Sequence, residues 1–284
     1  MNLELQSVLD YGLESTVDLL NRGFSDYFVP IVFDLASLLH VAGQESIDLA
    51  CSQVALCDGA ASGVTLIARR GWTSRLAAMA LVPEARGKGV GGWLMTRLIE
   101  QAQARGERAM VLEVIKGNDA AVALYKSRGF GTVRRLLSYV ASPDKTAAAE
   151  ADLQAFDVRC GDPVDPREVA RLVSAYGLPD LPWQISGESL ASLGPPNAAY
   201  QLDGAYLLLS NPDAPQIAVR SLLVLPGARG RGRALGLLRA SMARHPHKTW
   251  RVPAHCPEEV GGLFERAGFA RDSLSQFQMR LEWG

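Results

Sequence analysis

Two stretches of this chain carry the same punctuation, and that repetition constrains its architecture more than any other feature. Val82-Pro83-Glu84-Ala85-Arg86-Gly87-Lys88-Gly89-Val90-Gly91 returns as Leu225-Pro226-Gly227-Ala228-Arg229-Gly230-Arg231-Gly232-Arg233-Ala234, 143 residues later. Ala123-Leu124-Tyr125-Lys126-Ser127-Arg128-Gly129-Phe130 is echoed 139 residues later by Gly262-Leu263-Phe264-Glu265-Arg266-Ala267-Gly268-Phe269. Two landmarks in the same order at nearly equal spacing predict a duplicated unit. The 284 residues, 48% of them apolar, leave room for two buried cores. The join is expected near residue 146, where the polar Ser142-Pro143-Asp144-Lys145-Thr146 runs into the featureless Ala147-Ala148-Ala149-Glu150-Ala151. The sequence thus predicts domains over 1–145 and 146–284.

Charge and apolar runs narrow the class. The 29 basic and 30 acidic side chains, for a net charge of -1, argue against a nucleic-acid partner, which needs a basic face. The longest apolar run, Leu76 to Val82, is far shorter than a membrane span, and Glu4, Asp10 and Glu14 do not suit a signal peptide. Cys51, Cys57, Cys160 and Cys256 lack CxxC spacing and suggest reduced thiols, neither a disulfide frame nor a metal site. A soluble, cytoplasmic protein is expected.

Within the first half, helices are expected from about Leu13 to Phe24 and Asp34 to Leu39. Strand-like runs follow at Cys51 to Cys57, Val64 to Arg69 and Arg75 to Val82. After the glycine turn, Leu94, Leu98 and Ala102 recur at helical spacing. Met110 to Ile115 reads as a strand, Asn118 or Asp119 caps a helix through Arg128, and Thr132 to Val140 closes the half as a strand. The second half repeats the order, with strands near Ala205 to Leu209, Ile217 to Val224 and Trp250 to Ala254, and helices near Arg229 to Ala243 and Pro257 to Ala267. The fold class is α/β, a mixed α+β layout with early hairpins and a later crossover.

A strand that runs through a glycine-rich turn into a helix presents unpaired backbone N–H groups to a phosphate or diphosphate, aided by the helix dipole. Glycines at 87, 89 and 91 let those groups approach the ligand, and Arg86, Lys88, Arg229, Arg231 and Arg233 add charge. The bland alternative is a tight turn whose glycines only serve packing. Gly87-Lys88-Gly89-Val90-Gly91-Gly92 also fits a dinucleotide fingerprint, with Glu113 at 21 residues beyond Gly92. The second copy has Leu235 in place of the third glycine, whereas both copies keep Arg-x-x-Gly-x-(Gly or Ala), so the shared requirement is not the dinucleotide one. The absence of a GK[ST] triplet excludes a P-loop.

These residues resemble a known family. Arg86-Gly87-Lys88-Gly89-Val90-Gly91 is similar to the R/Q-x-x-G-x-G/A acyl-CoA signature of the GCN5-related N-acetyltransferases (GNAT). Asn118 through Phe130 resembles the motif that follows it there, at the spacing of the ribosomal-protein N-acetyltransferases. The resemblance is strong over about residues 75 to 140, weaker over 215 to 281 and poor in the N-terminal part of each half. It implies two tandem GNAT-like acyl-CoA N-acyltransferase domains, each a mixed sheet splayed between its fourth and fifth strands, with acetyl-CoA as acyl donor. Met79, Ala80 and Leu81 would pair with the pantetheine arm, the loop Gly87, Lys88, Gly89, Val90, Gly91 and Gly92 would hold the diphosphate, and Asn118 would reach the arm from the other side. Leu222, Leu223 and Val224 with Arg229, Gly230, Arg231, Gly232, Arg233 and Ala234 would do the same in the second half.

Acyl transfer to an amine needs a neutral nucleophile and a protonated leaving group. A carboxylate can take the amine's proton, and Glu113 on the strand flanking the cleft is the candidate, with a surface carboxylate as the alternative. Tyr125 matches the family's general-acid tyrosine; otherwise it is a core residue of its helix. The second half has Phe264 and Val252 at these positions, which neither donate nor accept a proton. That half is expected either to bind CoA without turning it over or to shape the acceptor pocket. Asp26, among Phe24, Tyr27 and Phe28, could seat a cationic amine or belong to a packed loop. The resulting expectation is an N-acetyltransferase, monomer or homodimer, acting on a primary amine of a small molecule or peptide. A non-catalytic acyl-CoA-binding module and a nicotinamide-dependent oxidoreductase are the alternatives.

Overall fold

The computed structural model describes residues 1–143 and 161–283. The chain divides into two compact units, Met1–Val133 with Phe277–Gly284, and Arg134–Gln276. The join expected near residue 146 lies outside the described residues. The division by packing also departs from a simple halving, because the strand after the last helix of the first repeat is paired within the second unit, while the chain's final residues return to the first.

In the first unit, β1 (Leu3–Ser7), α1 (Val8–Tyr11), α2 (Leu13–Gly23) and α3 (Leu35–Glu45) precede β2 (Gln53–Cys57), β3 (Ala60–Arg70) and β4 (Thr73–Leu81). Then come α4 (Val90–Ala104), β5 (Ala109–Ile115) and α5 (Asp119–Ser127). The sheet order is β1-β2-β3-β4-β5, antiparallel up to β4 and parallel from β4 to β5. A parallel neighbour needs a crossover, and α4 supplies it. Val64, Leu66, Ile67 and Ala68 are consecutive or nearly so and all buried, as in a strand covered on both faces. Leu19 and Leu20 of α2, and Leu94, Met95, Leu98 and Ala102 of α4, complete this core at helical spacing. α3 runs past the expected Leu39 because Leu38 and Ala42, one turn apart, both bury, while Asp34 and Ser37 close a reciprocal cap at its start.

The second unit holds β6 (Gly131–Ala141), from Arg134 onward, then β7 (Asp162–Val164), α6 (Pro166–Tyr176), α7 (Gly187–Ala191), β8 (Ala198–Leu202) and β9 (Ala205–Leu209). There follow β10 (Gln216–Val224), α8 (Arg233–Arg244), β11 (Thr249–Pro257), α9 (Gly262–Arg266) and β12 (Ala270–Glu282), whose last residues belong to the first unit. The order is β6-β11-β10-β9-β8-β7, with β10 and β11 parallel and the other neighbours antiparallel. α8 begins at Arg233, not at the expected Arg229, because the intervening residues form a loop with Gly230 and Gly232 at positive φ. The last helix is shorter than expected because β11 continues to Pro257 and a 3-10 turn over Glu258–Val260 follows.

Each unit carries a splay. The parallel pairing of β4 with β5 covers Thr73–Leu76 against Ala109–Leu112 and stops there, although β4 continues beside β3 to Leu81. In the second unit, β10 pairs with β11 only over Gln216–Ala218 against Thr249–Arg251, while it stays with β9 to Val224. A register shift accompanies both splays, between Leu66 and Ile67 opposite β4 and between Val219 and Ser221 on β10. Such bulges bend and twist a strand locally and open its edge.

Candidate active site

The splay places Met79, Ala80 and Leu81 on the part of β4 that runs beyond its pairing with β5. Strand edges of this kind offer alternating donors and acceptors to an extended amide chain. β4 leads through a 3-10 turn (Pro83–Ala85) to the glycine loop. Gly87 and Gly89 stand at φ of 71° and 85°, where a side chain would be strained, and a Cβ at either would meet nothing within 4 Å. Gly89 is the N-cap of α4 and supplies no side-chain cap, so the first amides of this 15-residue helix are left for another acceptor. Gly91 sits where a Cβ would come within 3.3 Å of Leu81 and Met79, and this close approach holds the helix start on the end of β4. The loop expected to hold a diphosphate thus has open space beside Gly87 and Gly89, and Lys88 between them is exposed.

Arg86 does not add its charge to that cradle as expected. Its guanidinium is turned back onto Asp26 in a bidentate pair at 2.6 and 2.8 Å, onto the carbonyl of Gly23 at 2.9 Å and onto that of Leu81 at 3.1 Å. Arg229 does the same in the second unit, donating to Val224 at 3.0 Å and to Tyr176 at 2.8 Å. The arginine shared by the two repeats is therefore a strut from the loop to the strand end and to the end of the preceding helix. Fork-shaped guanidinium geometry suits that double duty. Asp26 answers it in the first unit, and the Arg86 guanidinium holds its carboxyl below the usual range, so Asp26 is a loop anchor and not a free seat for an amine. Arg233 is likewise committed, to Asp203.

The clamp brings the loop after α2 over the splay. Tyr27 makes a hydrogen-bond contact with Asn118, and burial pushes its phenol up despite that bond. Asn118 also caps α5, accepting from Ala121 N at 3.2 Å. Tyr125, 8% exposed on α5, points its hydroxyl at the Met79 sulfur, 4.0 Å away. Burial, and then the neighbouring Tyr27, hold its phenol well above the ordinary range, so it keeps its proton throughout physiological pH. Tyr125 thus lies against Met79 of β4, and Asn118 lies against Tyr27 of the loop after α2.

Glu113 is placed differently from a proton acceptor. Its carboxylate is buried and bound by Arg75 at 2.7 Å, and Arg75 is itself 4% exposed and pinned to Glu45 at the end of α3. A carboxylate whose charge is spent on a buried guanidinium orders the wall of the cleft and is poorly suited to collect a proton. Arg75 gave no sign of this role in sequence, because a lone arginine in an apolar strand has no local partner to reveal it. Arg128 was also missed. It donates to the carbonyl of Gly92 at 3.3 Å, and a Cβ on Gly92 would lie 2.6 Å from its guanidinium. The paired change to Leu235 and Ala267 in the other repeat was the available signal.

In the second unit Gly230 and Gly232 repeat the positive φ, at 75° and 72°, and Gly232 again caps a helix without a side chain. Leu222, Leu223 and Val224 occupy the part of β10 beyond its pairing with β11. Phe264 and Val252 are buried at the positions of Tyr125 and Glu113. Phe264 packs against Phe269 at 5.7 Å between ring centres, much as Tyr125 packs against Phe130 at 6.0 Å.

Residues 17–130 match the family described as "Acetyltransferase (GNAT) family". A 59-residue stretch is 41% identical to the [ribosomal protein bS18]-alanine N-acetyltransferase of Salmonella typhimurium, covering 20% of this chain and 40% of that one. The match therefore spans well under half the length of that curated relative. Among solved structures, a GCN5-related N-acetyltransferase from Sphaerobacter thermophilus is 17% identical, with 99% of this chain and 95% of that chain covered at a TM-score of 0.63. A tandem GNAT protein from the clavulanic acid biosynthesis pathway is 16% identical, with 100% and 99% covered at 0.65. Residues 17–130 thus match the acetyltransferase (GNAT) family, and the fold of the chain is that of the tandem GNAT proteins.

Proposed function

We propose that the first unit is an N-acetyltransferase that moves an acetyl group from acetyl-CoA to a primary amine of a small molecule or peptide. The observation that supports it most is the continuity of three features on this chain: a strand edge freed at Leu76, the open glycine turn Gly87–Gly89 leading into a helix start with no side-chain cap, and the Tyr125 phenol against Met79. These residues fit the donor by their chemistry, since backbone amides at a helix start suit a diphosphate and a free strand edge suits the pantetheine amides. Acetyl-CoA, when bound, supplies an activated acyl carbon whose bond to sulfur is exchanged for a bond to the amine nitrogen.

This chain's residues hold and move the protons. Tyr125 keeps a proton at its Oη, available to a departing sulfur, and regains one from solvent. Asn118 and Tyr27 border the far wall. Glu113 and Arg75 fix the strand end that flanks them, and the amine's proton leaves through water. Lys88 and Arg128 are the cations nearest the loop amides in sequence and by hydrogen bond to Gly92. In the second unit, Leu222–Val224 with Gly230–Ala234 form a second cradle of the same type that binds CoA without turnover. The protein acts in the cytoplasm, as monomer or homodimer.

Incubation with acetyl-CoA and a panel of primary amines and amine-ended peptides tests the reading by thiol release and by mass of the acetylated product. Release with at least one amine, abolished in Tyr125→Phe, is expected. Binding of CoA without release from any amine would leave a binding module in its place.

A further inference from the structure

The second unit contains a cavity of about 550 Å³ in its own splay. One wall is the part of β10 beyond its pairing with β11, Val219–Val224; another is β11 past Val252. Leu178, Leu181, Val252, Val260, Leu263 and Phe264 give it a strongly apolar lining. The cavity reaches Arg229 and Ala234, and so begins at the glycine loop of the same unit. We infer that this cleft retains a CoA thioester carrying a medium-length aliphatic acyl chain, and holds it without transferring it. The inference rests on the reading of this unit as a CoA-type lobe, and adds which acyl group it selects.

Three observations carry it. First, size: about 550 Å³ equals the liquid volume of roughly 18 water molecules, room for an acyl chain beside the pantetheine end that Leu222–Val224 would pair with. Second, lining: a site built for a polar acceptor would present several polar side chains, as ligand sites place polar groups where orientation matters. Here the polar lining is confined to Tyr176, Arg220, Ser221, Arg229, His255 and Cys256; Arg229 is spent on two carbonyls, and Arg220 and His255 have interactions of their own. Third, chemistry: Phe264 stands where the other repeat has its donor phenol. Cys256, buried in the wall, has its thiol pushed up by burial to about 12, so it remains a protonated, sluggish nucleophile. The groove can therefore embrace an acyl chain but lacks the means to release it.

Each methylene buried there should tighten binding about fourfold, the equivalent of about 0.8 kcal/mol. Isothermal titration of the full chain with octanoyl-CoA, acetyl-CoA and octanoate separates the alternatives. The expected result is a site at least about 100-fold tighter for octanoyl-CoA than for acetyl-CoA, with octanoate failing to fill it. Leu178→Trp, at a lining residue 39% exposed, and Val260→Trp, in the wall, should each weaken that site at least tenfold while the urea midpoint of Leu178→Trp stays that of the wild type. Octanoyl-CoA binding no tighter than acetyl-CoA, binding untouched by both variants, or octanoate binding as tightly as its thioester would overturn the inference. Loss of acetyl transfer in the first unit is read separately by thiol release. Failure of that activity with the octanoyl site intact would thus remove the proposed reaction and not this site.

Discussion

Replacing Tyr125 with Phe deletes one oxygen whose hydrogen-bond partner among the described residues is a sulfur at 4.0 Å, at the outer limit of a hydrogen bond. Burying a hydroxyl that is poorly partnered costs about 1–3 kcal/mol, so the fold should lose nothing by the change and gain up to about 1 kcal/mol. Catalysis should respond in the opposite sense. A positioned proton donor contributes about 10²–10⁴-fold, which corresponds to about 2.7–5.4 kcal/mol of barrier. Steady-state thiol release should therefore fall by at least a hundredfold, while the urea midpoint holds or rises and acetyl-CoA affinity is unchanged. The pH profile adds a sign. Because burial holds the phenol above its ordinary value, its proton is present at every pH below about 10, and wild-type activity should climb with pH as the acceptor amine loses its proton. Retained turnover in the variant, or a fall in wild-type activity between pH 8 and 9, would refute the assignment of Tyr125 as the acid.

Other perturbations follow from the same geometry. Arg75→Met leaves the buried Glu113 carboxylate and the partly exposed Glu45 without their cation, and should cost about 3–5 kcal/mol in chemical denaturation. Asp26→Ala frees Arg86 and the loop that carries Tyr27, so amide exchange over residues 24–33 should quicken and the KM for the amine should rise more than kcat falls. Burial raises the Glu107 carboxyl, but hydrogen bonds from Arg105 and Arg69 outweigh it and leave it below its ordinary value. Its stabilising effect is thus complete above the unfolded carboxylate range and lost as pH falls through the folded one. Glu107→Gln should lower stability near neutral pH by roughly 2 kcal/mol and flatten the acid limb.

Much of the fold was legible because it rests on local chemistry. Positive φ at Gly87, Gly89, Gly230 and Gly232 is a property of single residues, and the spacing of Leu94, Leu98 and Ala102 already says which side of α4 is dry. Asn118 caps α5 whatever surrounds it. The meeting of Tyr125 with Met79 was not legible, since 46 residues separate them. Glu113 and Arg86 show where sequence reading fails. Each sits at the expected place on the backbone, yet what its side chain does depends on Arg75 and Asp26, 38 and 60 residues away. The same holds for the apolar cavity, which is assembled from α6, the loop after it, β10, β11 and α9.

The amino-acid order by itself settled the repeated landmarks, the two glycine turns and the absence of the tyrosine and carboxylate from the second repeat. Those traits need only a residue's own conformational range or its side-chain chemistry. Tertiary structure alone decided which charges are free and which are consumed, where β4 and β10 part from their neighbours, and that the strand after α5 pairs with β11. Ion pairing and strand pairing depend on distance in space, and a chain that folds back on itself brings together groups that its sequence keeps far apart.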